Sequence, residues 1–396
     1  MIMRESQIIR AGSRMLAAGS IEDLDMSRVA HEVGFKPSSL RYYFKNKEDL
    51  AEAIFHNRID ELESCVERSA VASDVQGFVR NLFESHLADY SKVLTGEGDR
   101  KAQIGEARTL QDVRRRRIGS HFRELLAQVQ CHLRSYGVAG LEHLPILPAQ
   151  MLLEIIFWMP AYIHRFREWE FERVASDLAK LFCRGIAAGD SRFESAHFEP
   201  MRTDADSESL DNDKFLVAAT QLICQRGYRG TSIDAISAKL GVTKGSFYHH
   251  HPEKRDLVER CFQQSYDRIS AFQKAAEKQF GEPLFAIRSV LSSVIGAQTA
   301  QEEPIIRFSA LPGLPGAIRI STIAGADPID RWFVAQLARA HARGEAAPVD
   351  PYLAAQFMSV VANASYDTVW LYRPEDPSRC ASAILHSIMH GFANEV

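Results

Sequence analysis

Apolar residues recur three and four positions apart along nearly the whole chain, as in Ile8, Ile9, Met15 and Leu16 and again in Phe215, Leu216, Leu222 and Ile223. That spacing gathers them on one face of an α-helix, and the sustained alternation expected of a half-buried strand is absent. Proline and glycine clusters, Leu311-Pro-Gly-Leu-Pro-Gly316 and Pro145-Ile-Leu-Pro148, fall between the periodic segments and mark loops. The pattern predicts an all-α protein.

The pattern also repeats. The segment from Val29 to Leu50 aligns without a gap on Ile236 to Leu257, and superposing Gly34 on Gly241 sets an offset of 241 − 34 = 207. The same offset places Ser39 on Ser246, Lys47 on Lys254 and Asp49 on Asp256. Near the ends of the halves, Arg173 to Ala187 is similar to Arg379 to Ala393, at an offset of 391 − 185 = 206. Agreement at both ends makes the repeating unit a whole module. Between the modules, residues 189–213 are acidic, rich in serine and too poor in apolar surface to fold alone, so they read as a linker. The expected organisation is a first head over 1–50, its body over 51–188, the linker, a second head over 214–257 and its body over 258–396.

At 396 residues the chain has room for two or three cores, since a domain usually takes about 100–200 residues. Its 46% apolar and 25% charged residues are those of a globular protein. The net charge of −4 gives no global attraction to phosphate, so any nucleic-acid binding has to come from local positive patches. The six cysteines lie far apart, without the close pairing of a zinc or redox motif, and are expected to be reduced and mostly buried. The start of the chain lacks a signal-peptide core. The most apolar stretch, Met151 to Ile163, is broken by Glu154 and Pro160 and falls short of the ~20 residues of a membrane helix. The expected location is cytoplasmic, with no membrane partner.

In the second module Thr231 or Ser232 can cap a helix running through Ile233, Ile236 and Leu240, with Asp234 in its first turn. Gly241 ends it, Thr243 can cap the next helix, and Phe247 returns an apolar side chain to the core. In the first module Asp25 is the expected cap, Val29 and Val33 the core positions, Gly34 the turn and Pro37 a first-turn proline. This is the helix-turn-helix pattern, whose second helix enters the DNA major groove. Charge agrees with it: residues 36–47 hold Lys36, Arg41, Lys45 and Lys47 and no acid, a sum of +4. Residues 239–255 hold Lys239, Lys244, Lys254 and Arg255 against Glu253, a sum of +3.

Gly241-Val-Thr-Lys-Gly-Ser-Phe-Tyr-His-His followed by Lys254-Arg-Asp-Leu257 resembles the DNA-binding head of the tetracycline-repressor (TetR) family, and the first head is similar. The resemblance covers about 45 residues in each half. It implies a three-helix DNA head, a helical effector-binding and dimerising body, and no enzyme activity or cofactor. Carried onto this chain, the groove-facing and phosphate-facing positions are Lys36, Pro37, Ser38, Ser39, Arg41, Tyr42 and Lys47 in the first head. In the second they are Thr243, Lys244, Gly245, Ser246, Tyr248, His249 and Lys254. Arg41 stands where the family has a tyrosine beside the phosphates, and His251 and Pro252 stand where it has Phe-Lys, which weakens the expected anchoring of the second recognition helix. The family pairs two bodies through their last two helices. Here both copies occur in one chain, at about Pro148 to Ala187 and Pro351 to Ala393, with Gly185 and Gly391 allowing close packing. The expectation is an internal pseudo-dimer on an asymmetric operator, with further homodimerisation left open.

Other features have two readings each. His249, His250 and His251 are consecutive and point apart on a helix, so no metal site is assigned to them. The run Arg114 to Arg117, flanked by Glu106, Asp112 and Glu124, reads as a solvated helix face more readily than as a second nucleic-acid patch. Phe157, Trp158, Tyr162, Phe166, Tyr366 and Trp370 are candidates to line a pocket for a small apolar or amphipathic effector, or else pack core and module contacts. No nucleophile, paired carboxylate or phosphate loop can be placed by spacing. The leading function is a transcriptional regulator that binds double-stranded operator DNA, expected to be a repressor released by the effector. The alternative is a helical ligand-binding or scaffold protein with one or both heads inactive.

Overall fold

The computed structural model describes residues 2–138, 144–188, 214–250, 253–307, 314, 316–372 and 376–393. The linker, His251 and Pro252 lie outside them, as do the side chains of His249, His250 and Trp370. The first half runs α1 (Ile2–Ala18), α2 (Met26–Glu32), α3 (Pro37–Tyr43), α4 (Lys47–Ser69), α5 (Val75–Leu94), a 3-10 turn (Ile104–Thr109), α6 (Asp112–Ser135), α7 (Leu147–Tyr162) and α8 (Phe171–Arg184). The second runs α9 (Lys214–Arg226), α10 (Ile233–Leu240), α11 (Lys244–His250), α12 (Lys254–Gln279), α13 (Pro283–Ala300), α14 (Gly316–Ala342), α15 (Pro351–Tyr372) and α16 (Pro377–His390). Among the described residues no strand forms, and the fold is all-α as the spacing predicts. The first residues of α2 and α10, α3 and α11, and α4 and α12 each lie 207 apart, and those of α8 and α16 lie 206 apart. None of the described helices is long and apolar enough to cross a membrane.

Local chemistry starts and stops these helices where it should. Asp25 accepts from the N–H of Ser27 at 2.8 Å and of Arg28 at 3.3 Å, and Ser232 accepts from that of Ala235 at 3.0 Å, so each satisfies helix-start donors that would otherwise lack partners. Gly34 and Gly241 turn the chain at φ +72° and +67°, the left-handed region closed to most side chains. Ile8, Val29, Leu40 and Leu50 bury in the first head, and Phe215, Ile236, Phe247 and Leu257 occupy the same positions 207 residues on. Val33 is only half-buried at the end of α2.

The body of the first half is tied to its head by α4 and α6. Arg114 pairs with Asp49 and Glu52, Arg117 with Glu52, and His121 Nε2 lies 3.4 Å from both Asp60 and Glu63. The arginine run is therefore not simply solvated: Arg114 is mostly buried and bridges α6 to α4, while Arg115 pairs with Asp112 one turn back. All six cysteines are free thiols; five are buried and Cys131 is exposed.

The two halves meet along a seam made by α7 and α8 on one side and α15 and α16 on the other. At its end the two halves exchange backbone hydrogen bonds. The N–H groups of Ile186 and Ala187 donate to the carbonyls of Ile388 and Met389 at 3.1 and 2.9 Å; those of Phe392 and Ala393 donate to Phe182 and Cys183 at 2.8 and 3.4 Å. Each half thus caps the last helix of the other. Gly185 and Gly391 turn at φ +72° and +88°, and a Cβ on either would fall on the opposite backbone, at Met389 or Cys183. Phe182 stacks on Phe392 beneath this crossing, ring centroids 4.9 Å apart.

Candidate nucleic-acid interface

In the first head, Pro37 opens α3 and Leu40 anchors it in the core, which leaves Lys36, Pro37, Ser38, Ser39, Arg41 and Tyr42 exposed together, Tyr42 at 78%. In the second, Thr243 Oγ1 accepts from the N–H of Ser246 at 3.3 Å and Phe247 anchors α11 edge-on to Phe215, ring centroids 5.7 Å apart. Thr243, Lys244, Gly245 and Tyr248 are then exposed and Ser246 half-buried. Among the described residues no acid pairs with Lys36, Arg41 or Lys45, whereas Lys244 Nζ lies 2.6 Å from Asp234 Oδ1. A Cβ on Gly245 would meet only Thr243 Oγ1, at 3.7 Å, so nothing inside the protein requires that glycine.

The two lysines assigned to phosphates are placed differently from the rest of this set. Lys47 Nζ donates to the carbonyl of Glu22 at 3.3 Å, and Lys254 Nζ donates to that of Tyr228 at 2.6 Å while lying 4.1 Å from the centre of the Tyr228 ring. Burial pushes the Lys254 ammonium down to about 8. Both side chains close the turn between the first two helices of their own head.

A second polar concentration lies in the seam, where spacing gave no hint of it. Asp367 on α15 accepts from Arg108 of the 3-10 turn at 3.1 and 3.2 Å and from Arg307, whose NH1 lies at 2.7 Å. Arg307 is 3% exposed and also donates to the carbonyl of Cys224 at 3.3 Å. The two guanidinium groups hold the Asp367 carboxyl below its usual range despite burial. Glu154 on α7 is pushed up to about 7 by burial and by the Asp367 charge, against the pull of Arg307 and Arg108. These groups come from places more than forty residues apart or in different halves, so no linear motif marks them.

The aromatic candidates divide between the seam and one body. Tyr162 is buried with a hydroxyl lacking a hydrogen-bond partner, Phe166 packs on Tyr352 with ring centroids 6.0 Å apart, and Tyr366 lies beneath Arg307, 5.2 Å from ring centre to guanidinium carbon. Phe157 packs on Phe122 inside the first body, Trp158 is half-buried beside it, and Trp169 is exposed. An apolar recess bordered by Ile186, Leu337, His341 and Ala354 takes in none of the six.

Two helix-turn-helix heads, each presenting an exposed second helix, define the class: a tandem helix-turn-helix protein. The family described as "Bacterial regulatory proteins, tetR family" matches residues 8–54 and 215–261, two segments again 207 apart, so the two tandem heads are each similar to that family's. The transposon Tn10 TetC protein of Escherichia coli is 44% identical over 55 residues, 14% of this chain and 28% of TetC. The HTH-type transcriptional regulator AcrR of Shigella flexneri is 31% identical over 88 residues, 22% of this chain and 41% of AcrR. The chain thus matches less than half the length of these relatives. Among solved structures, AibR in complex with isovaleryl coenzyme A and operator DNA is similar over 45% of this chain and 98% of that one, at 22% identity and a TM-score of 0.37.

Proposed function

We propose that this chain is a sequence-specific transcriptional regulator whose two heads read the two unlike halves of one operator. The observation that carries the reading is the pair of exposed second helices: each is fixed by one buried side chain, Leu40 or Phe247, and presents cations, hydroxyls and a tyrosine outward. Such groups meet phosphates and base edges. Gly245 adds to it, because a helical glycine costs about 0.5–1 kcal/mol and finds its use where another backbone approaches. On this reading Lys36, Pro37, Ser38, Ser39, Arg41 and Tyr42 face one half-site, and Thr243, Lys244, Gly245, Ser246, Tyr248 and His249 the other. Lys47 and Lys254 act mainly by bracing the heads.

The same reading makes the two halves an internal pseudo-dimer, supported by the reciprocal backbone bonds at the seam and by the Asp367 cluster, which joins groups of both halves. The proposed domain boundaries are those given by the repeat. A 25-residue linker reaches roughly 5–6 Å times the square root of its length, so the halves stay at high mutual concentration. The regulator is proposed to be a repressor released by a small amphipathic effector lodged at the seam. Tyr162 and its unpartnered hydroxyl support an amphipathic occupant over a purely apolar one. Titrating the full chain against duplex DNA from upstream of its own gene at moderate salt tests the function. Selective binding over a scrambled duplex is expected, and equal affinity for both would overturn it.

A further inference from the structure

The heads touch where the repeat brings equivalent positions together. Glu22 lies in the turn between α1 and α2, Arg229 in the turn between α9 and α10, and they are 207 residues apart. Arg229 NH1 is 3.0 Å from Glu22 Oε2, and its NH2 is 3.7 Å from Asp23 Oδ2. Behind them Glu106 is buried, with an Oε2 that has no hydrogen-bond partner, within electrostatic reach of all three. Each turn is braced by its own head: Lys47 holds the Glu22 carbonyl, and Lys254 the Tyr228 carbonyl.

In a dimer of identical subunits a residue beside the two-fold axis meets its own copy, so a glutamate there would face a glutamate. Two diverged halves escape that restriction. We propose that Glu22, Asp23 and Arg229 form a clasp between the heads that sets the separation of the two recognition helices, which makes them determinants of half-site spacing. The inference rests on the DNA-binding reading above for its meaning but not for its geometry. The clasp is also wired to the seam: Glu106 stands behind it, and two residues further along the same 3-10 turn Arg108 is held by Asp367. A ligand that disturbs Asp367 therefore moves the turn that backs the clasp.

The test places spin labels at His31→Cys and Ala238→Cys, exposed positions 207 apart on α2 and α10, in a full-length Cys131→Ser background. The clasped chain is expected to give one narrow distance distribution without DNA. Arg229→Glu sets a carboxylate against Glu22 and Asp23 and should broaden and lengthen that distribution. It should also weaken binding to the upstream duplex about tenfold and level its preference among duplexes differing by inserted base pairs between the half-sites. Glu22→Gln with Asp23→Asn removes the clasp from the other side without adding like charge and should broaden the distances less. An unchanged distribution in both variants overturns the clasp. A changed distribution in a chain that binds no DNA upholds the clasp and instead overturns the regulatory reading.

Discussion

The heads and the two faces of the seam arise from one repeat, yet they differ in what the halves share. The heads match position by position: an anchored second helix, a left-handed glycine before it, a lysine that closes the first turn. The seam matches only in its backbone, where four hydrogen bonds run in reciprocal pairs. Its polar core is one-sided, with Arg108 and Glu154 from the first half meeting Asp367 and Arg307 from the second. A fold that meets its own copy must make every off-axis contact twice and pair like with like on the axis, whereas two unlike copies permit a single buried charge pair with no symmetry mate.

The sharpest way to break this comparison is at Asp367. Asp367→Ala leaves Arg108 and Arg307 without their shared partner in a buried place, and stability should fall by about 3–5 kcal/mol in equilibrium denaturant unfolding. A loss under 1 kcal/mol would mean that the one-sided cluster does not hold the halves together. Next is the symmetric part of the seam: Gly391→Ala adds a Cβ onto the Cys183 backbone at a positive φ and should cost about 2–3 kcal/mol, measured the same way. In the heads, Arg41→Ala and Tyr248→Ala should each weaken DNA binding by about 1–3 kcal/mol, and footprinting should show protection lost over opposite halves of the site. A palindromic site weakened equally by both would remove the functional difference between the heads.

The seam also predicts a pH dependence. Glu154 titrates higher in the fold than the 4.5 of an exposed glutamate, so between about 4.5 and 7 the folded chain binds the extra proton. Its contribution to stability is then present below that window and is lost as pH rises through it. Glu154→Gln should flatten this part of the stability profile, and an unchanged slope would show that another group carries it.

The heads were legible in the sequence because their determinants are local. Asp25, Ser232, Gly34, Gly241 and Pro37 act within a few residues of themselves, and Phe247 follows from helical spacing. Gly185 and Gly391 were also picked out, but what needs them is a backbone crossing just past the helix ends, not helices packed along their length. The Asp367 cluster and the Glu22–Arg229 pair were not visible, since they join residues 259 and 207 positions apart and depend on how finished elements dock. The inward turn of Lys47 and Lys254 escaped for a similar reason: a lysine in a basic patch reads as outward-facing until the carbonyl it reaches is known.

The exchanged helix ends also bear on how the chain is made. The carbonyls of Phe182 and Cys183 receive their donors from Phe392 and Ala393, so the first module finishes α8 only after some 210 further residues have been synthesised. At about 5–20 residues per second that is a wait of roughly 10–40 s, during which its seam face, Glu154 included, has no counterpart. Until then the polar cluster is half made: Arg108 and Glu154 are present, and their partners Asp367 and Arg307 arrive only with the second half of the same polypeptide.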